Sequence, residues 1–344
     1  MSASDSLYTI RDFRLTSGAT MPEAAIAYVT QGKLAPDGRN AILLTHGYTS
    51  SHHFADGQGA SEGSWGALVG PGKPIDTDRY FVVAPNMLGS SYGSTGPASR
   101  NPATGRPYGP NFPDITLSDI VAQQRELLRH LGVEHLVAVI GPSYGGFQAF
   151  QWVVDFPDFM DGVAPIVTAP HPPVDNSSLD GLVGFLAKDP AWNGGDFYDR
   201  PGSMVATMTK LRINTLRNYG LEADLAPRFP DKQARDAEIA RIAGEWARAF
   251  DPNSLIVLRK AYMRFDVRPG FSRIKARMLY VLSRTDALFP PSIAPAVMDG
   301  LRAAGVRVDY VEIDSDRGHL ASGLDAGKWA PALRAFLDAL RQAA

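Results

Sequence analysis

The sequence of 344 residues contains no cysteine. Disulfide bonds, thiolate metal ligands and a cysteine nucleophile are therefore excluded, and nothing indicates an oxidising compartment. An excess of either charge is also missing, because 34 lysine and arginine residues face 36 aspartate and glutamate residues. Phosphate backbones and anionic membranes normally attract a basic patch or tail, so neither nucleic acid nor a membrane is an expected partner.

Long apolar segments are absent as well. The first residues have neither the basic region nor the apolar region of a signal peptide, and no apolar run reaches the length of a membrane span. The sequence therefore predicts a cytoplasmic protein. Its 44% hydrophobic and 20% charged residues are typical of a globular chain with a large core.

Short apolar runs rich in β-branched and aromatic residues recur along the chain. Continuous runs of this kind are typical of parallel strands covered on both faces, and they occupy residues 41–45, 80–84, 136–140, 163–167, 278–282 and 306–313. Helical patterns lie between them, such as residues 118–131, with Thr116 or Ser118 as a cap. This alternation predicts an α/β fold with a mostly parallel, doubly wound sheet. Residues 8–15 and 24–29 are expected to precede it as an antiparallel pair.

Two segments depart from this alternation. Residues 170–251 contain successive helical patterns, such as 203–219 and 231–250, without a convincing strand. We interpret them as a helical lid inserted into a core formed by residues 1–169 and 252–344, lying over the end of the sheet where open α/β folds bind ligands. Residues 86–113 are rich in glycine and proline and are longer than an ordinary connection, which indicates a loop of specific geometry.

The pattern Gly-x-Ser-x-Gly, which marks a strand-to-helix turn that exposes a nucleophilic serine, occurs three times, at Ser61, Ser91 and Ser143. Only Ser143 directly follows an apolar strand and precedes an apolar helical segment, residues 146–154. The other two serines lie in glycine-rich loops. We therefore predict that Ser143 is a nucleophile in an α/β-hydrolase fold, although Pro142 beside it is unusual because it removes one N–H.

A serine nucleophile needs a base, and the base needs an acid that orients it. Of the seven histidines, His319 follows the predicted strand 306–313 and is the candidate base. Asp286 follows strand 278–282 and completes the order serine, acid, histidine of the α/β-hydrolase fold, with Asp314 and Asp316 as weaker rivals. The remaining histidines are assigned to loops, turns and helix ends: His46, His52, His53, His130, His135 and His171. The adjacent pair His52 and His53 lacks a third metal ligand at a credible spacing, so no metal is predicted.

A tetrahedral intermediate needs two backbone donors. In this fold one comes from the residue after the nucleophile, here Tyr144, and the other from the loop after the third strand. That loop contains His46 and Gly47, and we assign the second donor to the N–H of Tyr48. His46 is expected to shape the turn without taking part in proton transfer.

With these residues in place, the chain resembles the homoserine O-acetyltransferase family. The resemblance spans nearly the whole chain and rests on segments such as Trp65-Gly-Ala-Leu-Val-Gly-Pro-Gly-Lys73, Tyr92-Gly-Ser-Thr-Gly-Pro97, Asn101-Pro-Ala-Thr-Gly-Arg-Pro-Tyr-Gly109 and Phe250-Asp-Pro-Asn-Ser254. It implies an acyl-enzyme on Ser143, a helical lid, a tunnel to the active site and a homodimer through the lid. It also implies that Arg217, or with less support Arg212, binds the carboxylate of the acyl acceptor.

The sequence departs from this family where the acceptor would bind. Members of the family typically have an aspartate directly after the catalytic histidine, associated with the amino group of the acceptor, and this chain has Leu320 there. A leucine cannot pair with a buried ammonium group. The sequence therefore favours hydrolysis of a short-chain, acetyl-type carboxylic ester without a cofactor. The alternative is O-acetyl transfer from acetyl-CoA, as a co-substrate, to homoserine, serine or another small alcohol. A scaffold without catalytic activity is disfavoured by the complete set of three residues.

Overall fold

The computed structural model describes residues 5–56, 64–172 and 177–342, and a single eight-stranded sheet runs through these residues. Its strands are β1 (Ser6–Arg14), β2 (Thr20–Gln31), β3 (Ala41–Leu44), β4 (Phe81–Pro85), β5 (Leu136–Pro142), β6 (Met160–Ile166), β7 (Arg277–Ser283) and β8 (Val308–Ile313). They lie in the order β1-β2-β4-β3-β5-β6-β7-β8. The pairs β1–β2 and β2–β4 are antiparallel, and all other neighbours are parallel. The predicted mostly parallel sheet with a leading antiparallel pair is confirmed.

Helices cover both faces of this sheet. In chain order the described helices are α1 (Leu117–His130), α2 (Tyr144–Asp155), α3 (Ser177–Leu186), α4 (Val205–Asn218), α5 (Leu221–Leu225), α6 (Lys232–Ala249), α7 (Pro252–Met263), α8 (Ala294–Ala303), α9 (Ala321–Leu324) and α10 (Ala330–Gln342). Apolar side chains of α1, α2 and α8 pack in one cluster with the sheet, and those of α10 pack in the other. The two clusters form the two layers of the core, as expected for a doubly wound fold.

Local sequence explains where α1 begins. Thr116 lies just before the helix in extended geometry, and its hydroxyl accepts a hydrogen bond from the amide of Asp119. The Asp119 carboxylate accepts one from the amide of Thr116 in return, which makes a capping box. Of the two predicted caps, Thr116 is therefore the one used.

Between β6 and β7 the described residues form helices and no strand. The predicted helical segments 203–219 and 231–250 correspond to α4 and α6. Sequence reasoning missed α3 and α7. The inserted helices bury two apolar clusters of their own, one around Trp192, Met208 and Trp246 and the other around Leu216 and Ile239. This region therefore has internal packing in addition to its contact with the sheet.

The glycine- and proline-rich segment 86–113 lies along the edge of β2. The Thr95 hydroxyl accepts a hydrogen bond from the amide of Ala25 at 2.8 Å, and the Ser94 hydroxyl accepts one from Ala27 at 3.0 Å. Gly89 and Gly93 have φ angles of +82° and +97°, a region that favours glycine. The predicted loop of specific geometry is thus an ordered part of the structure. Within the described residues, none of the helices is both long enough and apolar enough to cross a lipid bilayer.

Candidate active site

Ser143 lies at the junction of β5 and α2 in a strained backbone conformation. Its φ is +56° and its ψ is −121°, which is unfavourable for a residue with a side chain. Backbone hydrogen bonds hold this conformation, among them one from the Ser143 amide to the carbonyl of Ile166 at 2.8 Å and one from the Gly146 amide to the Ser143 carbonyl at 2.8 Å. A strained serine in a sharp strand-to-helix turn is the geometry of a nucleophile elbow.

Close packing explains the glycines around Ser143. A Cβ atom at Gly145 would lie 2.1 Å from the carbonyl oxygen of Thr45, and one at Gly141 would lie 2.6 Å from the same atom. A Cβ atom at Gly146 would lie 2.3 Å from the side chain of Thr168. These distances leave no room for any side chain, so the turn requires glycine at all three positions.

The proline before Ser143 fits the sheet at the point where pairing ends. Successive amides of a strand point to opposite neighbours, and the amide of Ser143 points to β6. The missing N–H of Pro142 would therefore point to the side of β3. Pairing on that side ends at Leu44, which lies opposite Ile140. The last backbone hydrogen bond to β3 runs from the amide of Thr45 to the carbonyl of Ile140 at 3.0 Å, and Pro142, which has no N–H to donate the next one, ends the pairing on that side.

His319 and Asp286 are in direct contact. The Nδ1 atom of His319 lies 2.8 Å from Oδ2 of Asp286, whose side chain is 0% exposed. The other oxygen, Oδ1, accepts hydrogen bonds from the amides of Leu288 at 2.8 Å and Phe289 at 3.3 Å. Burial by itself raises the pKa of Asp286, but the charge and hydrogen bond of His319 and the two amides lower it below its ordinary value. An ionised carboxylate only accepts, so Nδ1 of His319 carries a proton, and in the neutral ring Nε2 is then the nitrogen with the lone pair.

The rival acids lie elsewhere. The side chains of Asp314 and Asp316 are 85% and 84% exposed, and both pair with Arg284, at 2.9 Å and 2.6 Å. Within the described residues, neither forms a hydrogen bond or ion pair with His319. Of the three aspartates considered from the sequence, the structure brings only Asp286 to the imidazole.

Two cavities meet at Ser143. The larger one, of about 320 Å³, is lined on the core side by Tyr48, Tyr144, Phe147 and Phe289, and on the side of the inserted helices by Leu211 and Tyr219. The smaller one, of about 60 Å³, is lined by His319, Leu320, Gly47 and Pro142, among others. Ser143, Tyr48, Thr49 and Tyr219 belong to both walls. The structure thus gathers Ser143 and His319 around one small cavity beside a larger one.

The two predicted amide donors flank Ser143. Tyr144 is the first residue of α2, and Tyr48 lies in a turn closed by a hydrogen bond from Ser50 to the carbonyl of Gly47 at 3.2 Å. A Cβ atom at Gly47 would lie 3.9 Å from Cβ of Ser143, so this turn lies against the elbow. Within the part of the chain that is described, neither the Tyr48 nor the Tyr144 amide donates to a backbone carbonyl.

His46 is buried behind this turn. Its Nε2 lies 2.9 Å from the side-chain oxygen of Asn86, and its carbonyl accepts from Gln148. Burial lowers the pKa of His46 to about 4, so the ring is neutral at pH 7. That His46 shapes the turn without taking part in proton transfer stays a prediction.

The alternative serines have other placements. The Ser91 hydroxyl accepts a hydrogen bond from the amide of Asp251 at 2.9 Å, and the Ser91 carbonyl accepts from Asn86. Ser91 therefore connects segment 86–113 to the start of α7. The Gly59–Gly63 match with Ser61 lies outside the described residues. Segment 86–113 contributes no residue to the described walls of the two cavities.

His52 and His53 do gain a third polar partner, which spacing along the sequence did not reveal. Oδ1 of Asp5 lies 2.7 Å from Nε2 of His53 and 3.2 Å from Nε2 of His52, and among the described residues only this group has metal-ligand geometry. Nδ1 of His53 contacts Asp56 at 2.6 Å. However, Nδ1 of His52 is buried without a partner in the described chain, and a metal on Nε2 would leave a buried N–H there unsatisfied. We interpret the group as a hydrogen-bonded histidine–aspartate cluster.

Of the predicted substrate-binding residues, Arg217 is not brought to either cavity. Its side chain is 40% exposed on the inserted helices, where it pairs with Asp236 at 2.7 Å and Glu222 at 3.7 Å. Arg212, the alternative, is buried one turn earlier. Its Nη1 donates to the Thr49 hydroxyl at 2.8 Å, and its guanidinium lies 4.7 Å from the ring centre of Trp246. Helical spacing from the sequence could not tell which arginine faces inward.

Leu320 lies in the wall of the smaller cavity and is buried. It packs in the apolar cluster of the inserted helices that contains Leu216, Leu221, Leu225, Ile239 and Ala243. The surroundings of the position after His319 are therefore apolar as well.

Sequence reasoning missed two residues of the site. Tyr219, at the end of α4, lies with its ring centre 5.1 Å from that of His319. Arg259 of α7 lines the larger cavity. The available signal was helical spacing, because Leu255, Arg259 and Tyr262 recur at positions i, i+4 and i+7 and all three line that cavity.

Comparisons with known proteins show which family the chain is similar to. A family model described as alpha/beta hydrolase fold matches residues 40–326. The homoserine O-acetyltransferase of Pelobacter propionicus is 35% identical over 356 aligned residues, covering 96% of this chain and 95% of that protein. The crystal structure of homoserine O-acetyltransferase from Bacillus anthracis has a TM-score of 0.87 at 25% identity and covers 98% of both chains. Esterase E22 has a TM-score of 0.85 at 26% identity and covers 97% of this chain and all 100% of its own. By these matches over nearly its whole length, the chain belongs to the homoserine O-acetyltransferase family of the α/β-hydrolase superfamily.

Proposed function

We propose that this chain is a serine acyltransferase that forms an acyl-enzyme on Ser143 and passes the acyl group to a small hydroxyl-bearing acceptor. One observation carries the acyl-enzyme: a strained serine at the elbow shares a small cavity with an imidazole held at 2.8 Å by a buried carboxylate. In this proposal Ser143, His319 and Asp286 act as a catalytic triad.

In the first half-reaction, Nε2 of His319 accepts the hydroxyl proton of Ser143 while Oγ forms a bond to the carbonyl carbon of a thioester or ester. The oxyanion accepts hydrogen bonds from the amides of Tyr48 and Tyr144. The carbon–sulfur or carbon–oxygen bond then breaks, and the leaving group takes the proton from His319. Asp286 holds the ring in the required tautomer and stabilises its charged form.

In the second half-reaction, His319 accepts a proton from the acceptor, whose oxygen forms a bond to the acyl carbon. The bond to Ser143 Oγ breaks, and Oγ recovers the proton from His319. Water and an alcohol are chemically equivalent in this step, so what differs between a hydrolase and a transferase is which of them the small cavity admits.

The curated relatives support transfer over hydrolysis. Sequence reasoning ranked ester hydrolysis first, whereas proteins 35% and 36% identical over about 95% of the chain carry the name homoserine O-acetyltransferase. We therefore propose acetyl-CoA as donor and homoserine or a similar small hydroxy-amino acid as acceptor. Ester hydrolysis remains the second candidate because Leu320, in its apolar cluster, offers no partner for an ammonium group.

We further propose that residues 170–251 act as a lid that shapes the larger cavity and limits the access of water. Leu211, Thr215 and Tyr219 of this region line that cavity, which supports the proposal. A homodimer formed through the lid stays a prediction, to be checked by light scattering of the purified protein.

The deciding experiment offers the enzyme acetyl-CoA with and without homoserine, beside p-nitrophenyl acetate in water. We expect release of CoA that depends on homoserine, together with slow cleavage of the ester. A fluorophosphonate probe should label the native chain and leave Ser143→Ala unlabelled, because only an activated serine reacts with it.

The outcomes separate the candidates. Rapid ester cleavage without release of CoA in the presence of homoserine would establish the hydrolase in place of the transferase. Labelling that persists in Ser143→Ala, or no labelling of the native chain, would contradict the acyl-enzyme itself.

A further inference from the structure

Arg259 occupies an unusual position on α7. Among the described residues that line the larger cavity, Arg259 is the only one with a charged side chain, and the others are mainly tyrosine, phenylalanine and leucine. Because the cavity also contains Ser143, this cation lies in the same cavity as the proposed nucleophile.

The side chain of Arg259 has aromatic neighbours and no counterion. Its guanidinium carbon lies 5.4 Å from the ring centre of Tyr48 and 5.5 Å from that of Tyr262. Its Nη1 donates to the hydroxyl of Ser178 at 3.3 Å, while its Nε is buried without an acceptor in the described chain. Within the described ranges, no carboxylate pairs with this arginine. A partly buried cation with donors to spare is the kind of group that an anionic ligand stabilises.

Lys260, the next residue on α7, has a carboxylate partner, unlike Arg259. Lys260 points away from the cavity and pairs with Asp114 at 3.3 Å, and Arg264 pairs with the same carboxylate at 2.8 Å. The unpaired charge is therefore specific to the side of α7 that faces the cavity.

The two cavities indicate which part of a substrate would meet Arg259. The leaving alcohol or thiol must receive its proton from His319, which lines the smaller cavity and is not among the described residues of the larger one. The acyl chain would then extend from Ser143 into the larger cavity. This cavity, of about 320 Å³, has room for an acyl group longer than acetyl.

We propose that Arg259 binds a carboxylate at the far end of the acyl group, so that the preferred acyl donors are half-esters or half-thioesters of a short dicarboxylic acid. This inference rests on the proposed acyl-enzyme at Ser143. It refines the acyl group, for which the names of the relatives give acetyl. The transfer chemistry is unchanged: the ester or thioester bond breaks, the acyl–serine bond forms, and the distal carboxylate takes no part.

The test compares esters that differ in one charge. Monomethyl succinate carries the carboxylate on the acyl side, and methyl 4-oxopentanoate replaces it with a neutral methyl ketone of similar shape. Acetoxyacetate and acetoxyacetone form the corresponding pair on the alcohol side. Consumption of each ester is followed by chromatography with and without homoserine as acceptor, for the native enzyme, Arg259→Met, Arg259→Lys and the control Lys260→Met.

We expect the native enzyme to favour monomethyl succinate over methyl 4-oxopentanoate by about 10- to 100-fold in kcat/KM, as for a hydrogen bond between charged groups. Arg259→Met should abolish this preference, Arg259→Lys should retain part of it, and Lys260→Met should change it by less than about twofold. The acetoxyacetate pair should show no preference that depends on Arg259.

Equal consumption of the two acyl-side esters by a native enzyme that a fluorophosphonate still labels would overturn the role of Arg259 and leave the acyl-enzyme intact. A preference for acetoxyacetate that is lost in Arg259→Met would overturn the acyl-side assignment. If no ester is consumed and Ser143 is not labelled, both this inference and the proposed function fail. The substrate ratio of the native enzyme decides the question even if a variant does not fold.

Discussion

The site has two halves that are held in place by different means. Ser143, Asp286 and His319 follow β5, β7 and β8, and hydrogen bonds fix the first two, from Ser143 to β6 and from the amides of residues 288 and 289 to Asp286. The other half comes from the inserted helices and α7. There Arg212 and Tyr219 are held by side-chain contacts: the Thr49 hydroxyl and Trp246 for Arg212, and the ring of His319 for Tyr219.

We infer from this difference that the strand ends hold the reacting groups and that the helical half governs substrate preference. Parallel strands bring their carboxyl ends to one edge of the sheet whatever the helices above them do, so the reacting groups keep their relative positions. In our proposal the helical half determines which acyl group fits, through residues such as Arg259. A single substitution can remove a side-chain contact in the helical half. The end of a strand is fixed by backbone hydrogen bonds and moves only if the sheet moves. We infer that substrate preference in this chain is adjusted mainly from the helical side.

For the half of the site that follows the strands, here called the sheet half, the substitution of Ser143 has the largest expected effect. We expect Ser143→Ala to lower kcat/KM by about 10⁴-fold or more while the protein stays folded, because the attacking oxygen is lost and only binding and the amide donors remain. Turnover of acetyl-CoA with homoserine, or of p-nitrophenyl acetate, measures the loss, and circular dichroism checks the fold.

The matched control is Ser91→Ala, which removes a hydroxyl from a second Gly-x-Ser-x-Gly pattern. Its hydroxyl accepts only the amide of Asp251 in the described structure, so we expect a loss of about 1 kcal/mol in unfolding free energy and activity within about threefold of the native enzyme. The assignment of the nucleophile is wrong if the inactive variant is Ser91→Ala and Ser143→Ala keeps its activity.

Local patterns were sufficient to predict most of the sheet half. Ser143, Asp286 and His319 each follow an apolar run, and such runs indicate strands whose ends lie at a common edge. The contact between His319 and Asp286 is the one that strand order implied. The role of Asp286 against Asp314 and Asp316 could be ranked from the sequence because a neighbouring strand end faces the imidazole better than an adjacent loop residue does.

The helical half was less accessible to sequence reasoning. Helical periodicity predicted α4 and α6, but it does not determine which of Arg212 and Arg217, five residues apart, is buried. Arg217 was preferred and lies on the surface, while Arg212 is buried by a tertiary contact with Thr49, 163 residues away. The partner of His52 and His53 was missed for the same reason, since Asp5 lies 47 residues before His52. Contacts between distant segments leave no local signal.

The two arginines of α4 test whether the halves are coupled. We expect Arg212→Met to lower the free energy of unfolding by about 2–4 kcal/mol, since it removes a buried charged hydrogen bond to Thr49 and a cation–π contact with Trp246. Because Thr49 follows Tyr48, a proposed amide donor, kcat should fall as well. Chemical denaturation and steady-state kinetics measure the two effects.

Arg217→Met is the control on the same helix. Its ion pairs with Asp236 and Glu222 are exposed to solvent, so its loss should cost less than about 1 kcal/mol and leave kcat unchanged. Equal effects of the two substitutions would contradict the distinction between a buried contact that joins the halves and a surface ion pair.

Asp251, which precedes α7 where the two halves meet, gives a smaller expected effect than Arg212. Its carboxylate accepts from the amide of Asn253 at 2.7 Å and the hydroxyl of Tyr198 at 2.9 Å, yet burial raises the pKa of Asp251 to about 6. The folded protein therefore holds this proton more tightly than the unfolded chain does. Protonation of Asp251 therefore adds to the free energy of unfolding below about pH 4, and this contribution, of at most about 3 kcal/mol, is lost as the pH rises through about 6.

Between pH 4 and pH 7, we expect the free energy of unfolding of the native chain to fall by about 1–3 kcal/mol more than that of Asp251→Asn, whose side chain cannot ionise. Urea denaturation at each pH measures both proteins. Asp199→Asn, at an exposed carboxylate, should follow the native curve. Parallel curves for the native chain and Asp251→Asn would show that the meeting point of the two halves is as open to water as the surface.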